Sequence, residues 1–206
     1  MRKIFIDCGA WNGLSVKFFM DNIPGWKEYE MYVFECNEKL LENIEKLKKE
    51  YDADNMTIIN KAVWVNDDHI EFYLGGVGFS ESSSLIKEKK TGNIDVGHPV
   101  RVPCVDLSKW ITDNFDIDDY ILLKMNIEGA EYPVLRKMVN NNSIKYINNL
   151  YAAWHHKKIG MGKRHHRSLI KDILSTETKL YRWVLEHDKD CNITVAMNEF
   201  INSIRE

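Results

Sequence analysis

The sequence predicts a doubly wound α/β fold: a mostly parallel twisted sheet with helices on both faces and an antiparallel hairpin at its C-terminal end. Three observations predict it. Short apolar runs alternate with helical stretches through the first half, and parallel neighbours need such crossovers. A glycine-bearing turn, Gly9-Ala10-Trp11-Asn12-Gly13, follows directly on the first apolar run. Late in the chain, two strand-like runs flank the turn-prone His187-Asp188-Lys189-Asp190.

The elements follow in order. Lys3–Ile6 is a short apolar strand stopped by Asp7 and the glycine turn. Leu14–Met20 reads as a helix with Leu14, Phe18 and Met20 turned inward. Met31–Phe34 is a second strand ending in Glu35-Cys36-Asn37, and Glu38–Glu50 repeats Leu40, Leu41, Ile44 and Leu47 at helical spacing. Met56–Ile59 is a third strand, which Val63–Val65 extends or follows. Ile70, Phe72 and Leu74 alternate with polar or amphipathic residues, as in a strand with one wet face. Gly75–Ser84 reads as a flexible loop, Val100–Val105 as extended and Leu107–Asn114 as a short helix. Tyr120–Met125 is the clearest buried strand, and a helix follows Gly129 to about Val139. Tyr146–Trp154 is a strand, Lys157–Arg167 a basic stretch, and a helix lies near Ser168–Leu174. Strands near Leu180–Leu185 and Ile193–Met197 form the hairpin.

With 206 residues, sparse glycine, four prolines and no linker or repeat, residues 1–206 read as a single domain. A net charge of −3 provides no global field for nucleic acid or anionic membrane. No apolar run approaches the roughly 20 residues of a membrane span, and the start has no signal-peptide pattern. Cys8, Cys36, Cys104 and Cys191 are scattered without paired spacing, which suits reduced thiols in a cytoplasmic protein.

Ligands of open α/β sheets bind at the carboxyl ends of the strands. Asp7-Cys8-Gly9-Ala10-Trp11-Asn12-Gly13 occupies that place, with GxxxG spacing rather than the GxGxxG of pyrophosphate binders. Asp7 is poorly matched to a diphosphate and suits an ammonium-bearing ligand such as the methionine end of S-adenosylmethionine. Glu35, ending the second strand, can accept both hydroxyls of a ribose. Leu122 to Tyr132 delivers Asn126 and Glu128 to the same edge, while Glu128 and Glu131 are spaced to face one pocket or to complement a helix N-terminus. A parallel sheet ending in a hairpin is the usual shape of a class I methyltransferase, a Rossmann-like fold; a dinucleotide dehydrogenase tends to end its sheet in parallel.

On these residues the chain resembles the FkbM family of S-adenosylmethionine-dependent methyltransferases. The matching stretches are Ile4 to Ala10, Phe34-Glu35-Cys36-Asn37, Asn60 to Trp64, Ser82-Ser83-Ser84-Leu85, Val105-Asp106-Leu107-Ser108 and Leu123 to Leu135, in family order. The resemblance implies O-methylation, commonly of a hydroxyl on a saccharide or secondary metabolite. It implies that Asp7, Gly9, Ala10 and Gly13, with Trp11 and Asn12 between them, line the methionine half of the cofactor. It further implies that Glu35 holds the ribose beside Cys36 and Asn37, that Ala62 and Val63 border the adenine, and that Asn126 and Glu128 stand next to the transferred methyl. The chain departs from the family pattern at Trp11, often asparagine, at Asn126, commonly aspartate, and at Ala153, often acidic.

Methylating an alcohol requires removal of its proton, so a base belongs within hydrogen-bond reach. His155, with an ordinary pKa near neutrality, is the first candidate and Glu128 the second. Glu131, Tyr132, Lys163 and Arg164 are candidate acceptor contacts, because the run Lys157, Lys158, Lys163, Arg164 and Arg167 suits an anionic substrate and Gly160 and Gly162 permit a lid. No metal is expected, since neighbouring histidines such as His155-His156 and His165-His166 seldom converge on one ion. The expected acceptor is a small hydroxylated molecule, a glycan or sugar derivative. Two alternatives stand: a silent S-adenosylmethionine-binding module that has lost acidic chemistry at Asn126 and Ala153, and an RNA or cap methyltransferase using the basic loop. The near-neutral composition and the lack of an aromatic–basic platform argue against nucleic acid.

Overall fold

The structure is a computed structural model describing residues 1–76 and 82–183. Its main sheet holds β1 (Lys3–Cys8), β2 (Tyr29–Phe34), β3 (Met56–Ile59), β7 (Tyr120–Met125), β8 (Asn149–Ala152) and β9 (Lys179–Arg182), in the order β3-β2-β1-β7-β8-β9. Every pairing in it is parallel. A smaller sheet is built from β4 (Ala62–Trp64), β5 (Asp68–Phe72) and β6 (Val100–Asp106), in the order β4-β6-β5. The helices are α1 (Leu14–Asn22), α2 (Glu38–Glu50), α3 (Leu107–Asn114), α4 (Glu131–Asn140) and α5 (Lys163–Leu174). Among the described residues, no helix is long and apolar enough to cross a membrane.

Alternation along the central strands explains why they are apolar throughout. Ile4, Ile6 and Cys8 of β1 enter one core with Ile121, Leu123 and Met125 of β7, while Phe5 and Leu122 enter the core on the opposite face. A strand buried on both faces has no wet side to mark with polar residues. From β1 the chain runs outward through β2 and β3; from β7 it runs the other way through β8 and β9. The order therefore reverses between β1 and β7, and their carboxyl ends flank the crevice where such sheets bind ligands.

Several elements differ from expectation. The core residues of α1 are Ser15, Val16, Phe19 and Met20, so Phe18 and Leu14 are only partly buried; the apolar stripe is phased on Val16 and Phe19. Val63–Val65 follows the third strand rather than extending it, with bounds one residue earlier: a tight turn, closed by the Lys61 N–H on the Ile59 carbonyl at 2.9 Å, sends Ala62–Trp64 into the smaller sheet. The strand expected over Tyr146–Trp154 is confined to Asn149–Ala152, because Ser143–Tyr146 is a 3-10 turn. The basic stretch is helical from Lys163, since Leu169 and Ile173 lie buried at helical spacing while the charges stay outside. The first strand of the expected hairpin is β9, which pairs in parallel with β8; the second, near Ile193–Met197, lies outside the described residues.

Candidate active site

At the switch point lies a cavity of about 800 Å³, measured out to its open mouth. Gly9, Ala10 and Trp11 after β1, Glu35, Cys36 and Asn37 after β2, Ala62 and Val63 of β4, and Asn126 and Glu128 after β7 all line it. Four segments far apart in sequence thus meet as the resemblance implied. Asp7, Asn12 and Gly13 are not part of the lining.

Gly9 adopts φ +81°, and a Cβ there would run into the carbonyl oxygen of Asn126. Only a glycine lets the β1 turn cross the end of β7 so closely. Trp11 takes φ +52°, which aims its N–H at Glu35 Oε2, 2.8 Å away. Glu35 Oε1 accepts the N–H of Asn37 at 2.8 Å. Burial pushes the Glu35 carboxyl up from its ordinary value, and these two donors pull it only partly back. The carboxylate is thus fixed at the cavity wall with lone pairs left for ligand hydroxyls. Asn12 serves the fold, its Oδ1 accepting the Leu14 N–H at 3.2 Å as α1 begins. Gly13, at φ +86°, stands against Leu47 of α2.

Asp7 behaves differently from expectation. Register places it directly beside Lys124 on β7, and Lys124 Nζ sits 2.7 Å from its Oδ1. Ser15 of α1 donates to the other oxygen. Lys124 also donates to the Gly9 carbonyl at 2.8 Å and, unlike Asp7, lines the cavity. Both partners are almost wholly buried, so the Asp7 charge is matched inside the protein before any ligand arrives. Asn126 lines the cavity at this end, and its Oδ1 is buried with no hydrogen-bond partner. An orphaned acceptor on a cavity wall calls for a donor, and a ligand ammonium supplies one.

A second constellation surrounds Glu128, held at φ +52°. Such a backbone costs about 1–3 kcal/mol and persists only where the surroundings over-determine it. Ser84 Oγ donates to its carbonyl at 2.8 Å. Its carboxylate meets Lys89 at 2.7 Å, His155 Nε2 at 3.2 Å and Lys158 at 3.3 Å. His155 Nδ1 lies 2.9 Å from Glu131 Oε1, and Glu131 also accepts the N–H groups of Ile127 and Gly129, each at 2.8 Å. Burial works against the Glu128 charge, but His155 and Lys89 outweigh it and hold the carboxyl down at about 2. Burial likewise works against a charged His155, but the two carboxylates push it up to about 9. Its suggested merit, a pKa near neutrality, is therefore removed by its neighbours: at pH 7 the ring is protonated, and Glu128 is ionised and paired with it.

The model of the methyltransferase FkbM domain matches residues 7–180, nearly the whole described chain. The chain belongs to the FkbM methyltransferase domain family. The crystal structure of methyltransferase FkbM from Methylobacillus flagellatus KT is similar in fold, with a TM-score of 0.53 at 18% identity. The similarity covers 84% of this chain and 37% of that one, so the chain spans well under half the length of its solved relative. No curated protein matches the chain.

The remaining candidates of this FkbM domain sit behind or beside the cavity. Glu131 is fully buried, with both carboxylate oxygens engaged as above. Tyr132 is buried, its hydroxyl 3.0 Å from His166 Nδ1 and 3.1 Å from the His156 N–H. His156 and His166 stack at 4.2 Å, so neighbouring His155 and His156 diverge into separate environments. Lys163 and Arg164 are exposed on the first turn of α5 and do not line the cavity. Sequence reasoning named no role for Lys89, Lys124 or Ser84. Lys124 and Ser84 stood inside motif stretches and were open to notice; Lys89 carried no signal, since a lysine among Lys87, Glu88 and Lys90 reads as solvated.

Proposed function

We propose that the chain transfers a methyl group from S-adenosylmethionine to a hydroxyl oxygen of a small molecule, a saccharide or sugar derivative. The observation that carries this reading is the cavity itself, with the Glu35 carboxylate at one wall, the orphaned Asn126 Oδ1 at the other and ionised Glu128 beside it. These groups fit the donor's chemistry. Glu35 accepts the ribose hydroxyls, the apolar wall of Phe34, Leu40, Val63, Phe72 and Leu85 takes the adenine, and Asn126 accepts from the ammonium. When bound, the donor supplies an electrophilic methyl group on a sulfonium centre. The saccharide assignment rests on what the family resemblance implies.

The protein's part is positioning and proton management. Glu128 accepts the acceptor hydroxyl's hydrogen bond and so orients its oxygen. A carboxylate held at about 2 is a weak base, yet the acceptor O–H becomes a far stronger acid as its oxygen takes on a third bonded partner, the methyl carbon, and acquires oxonium character. Glu128 Oε therefore takes the proton late, when the new C–O bond is largely formed and the methyl's bond to sulfur, which departs as a neutral thioether, is largely broken. His155, fixed by Glu131, keeps Glu128 ionised and aimed. No carboxylate at Asn126 is required for this route.

Calorimetric titration with S-adenosylmethionine and, separately, NAD tests the donor, with Glu35→Ala as control. Glu35-dependent binding of the first alone is the expected result; failure of folded protein to bind it would sink the proposal. Turnover of a hydroxylated acceptor pool with labelled donor then tests transfer, expected to fall at least a hundredfold in Glu128→Gln. Rescue of activity only by Asn126→Asp would instead favour a silent binding module.

A further inference from the structure

Glu128 has no lone pair to spare. His155 Nε2 approaches one oxygen at 3.2 Å, Lys89 the other at 2.7 Å, and Lys158 straddles both at 3.3 Å. A carboxylate offers about four acceptor positions, and these contacts fill them. An acceptor hydroxyl can reach Glu128 only by displacing one of the three donors.

Two of them are locked. The Lys89 side chain is fully buried and donates also to the Ser82 carbonyl. His155 is pinned through its other nitrogen by Glu131 at 2.9 Å. Lys158 is different: its contacts are the longest and its side chain is 42% exposed. Its backbone carbonyl is held by the Lys90 N–H at 2.7 Å, so the side chain can swing while the loop stays in place.

Charge decides where the released ammonium goes. Both His155 nitrogens face carboxylate oxygens, a geometry that uses two N–H donors and hence the imidazolium. Imidazolium and Lys89 together match Glu128 and Glu131, leaving Lys158 as surplus positive charge. Its own stretch of chain offers it no carboxylate: between Glu131 and Asp172 there is no acidic residue, while Lys157, Lys163, Arg164 and Arg167 add positive charge. We infer that the acceptor carries an anionic group, a phosphate or carboxylate, beside the hydroxyl to be methylated, and that Lys158 passes from Glu128 to this group as the acceptor seats. The inference rests on the methyl-transfer reading of the cavity and names its acceptor class.

The test is calorimetry on the full chain with glucose 6-phosphate, glucuronate, glucose, orthophosphate and acetate, with and without S-adenosylhomocysteine. Phosphate-bearing and carboxylate-bearing probes separate the two anion chemistries. At least one anionic probe is expected to bind tenfold or more tighter than glucose. Lys158→Gln is expected to weaken that probe at least tenfold while glucose, which no longer has to displace the ammonium, binds no more weakly; Lys157→Gln changes the anionic probe less than threefold. Absence of Lys158-dependent anion binding, or an equal loss for every probe, overturns the inference. Failure of S-adenosylhomocysteine to bind would instead count against the donor reading, and the titrations without it would still report on Lys158.

Discussion

Replacing Glu35 with glutamine removes a charge and reverses half of a hydrogen-bond pattern while preserving shape. The two carboxylate oxygens accept N–H groups of Trp11 and Asn37, both at 2.8 Å. A glutamine can serve one of them; its amide NH₂ then faces the other, leaving a buried donor unsatisfied at about 1–3 kcal/mol of stability. Donor hydroxyls lose a charged acceptor as well. Charge-assisted bonds are about twice as strong as neutral ones, so two such bonds weaken by about 1–1.5 kcal/mol each. Together that is about 2–3 kcal/mol, or roughly a 30- to 150-fold rise in Kd. Calorimetry with S-adenosylhomocysteine reads this directly, alongside a melting curve showing that the variant is folded. Because burial raises the Glu35 pKa, binding to the native protein should also weaken on acidification sooner than an exposed glutamate would dictate. A folded Glu35→Gln variant that binds within threefold of the native protein would refute the assignment.

Lys124→Met should strand the Asp7 carboxylate in the core, costing about 3–5 kcal/mol and roughly 6–20 °C of Tm; adding Asp7→Asn should restore much of it, as differential scanning calorimetry would show. Gly9→Ala forces an alanine to φ +81° against the Asn126 carbonyl. It should cost about 1–2 kcal/mol for the conformation alone and abolish donor binding, measured by the same titration. His155, raised to about 9 from an ordinary 6.5, adds stability that is complete below about pH 6.5 and disappears as pH rises through 9. The contribution is about 3 kcal/mol. Melting temperature should therefore fall between pH 7 and 10 in the native protein, and a flatter profile is expected in His155→Gln.

Legibility varied with how locally each feature is specified. Glu38–Glu50 and Tyr120–Met125 were readable to the residue: the first has a strong apolar stripe with Asn37 capping it, the second an unbroken apolar run. Ala62–Trp64 was not, because three apolar residues do not say which sheet they join. That Glu35 and Asn126 line the cavity was readable, since strand ends declare themselves. Lys89 reaches Glu128 across 39 positions by way of the segment between the small-sheet strands, and no periodicity encodes that contact.

The sequence by itself determined the class of fold, the strand ends that bear the site and the family, because hydrophobic period and turn chemistry are local properties. Only the tertiary structure decided what each charged group is free to do. Asp7 and Lys124 neutralise each other because parallel register sets them side by side, and His155 is protonated because two carboxylates converge on its ring. The charge state of a buried group depends on distances between segments remote along the chain, and those distances exist only once the chain has folded.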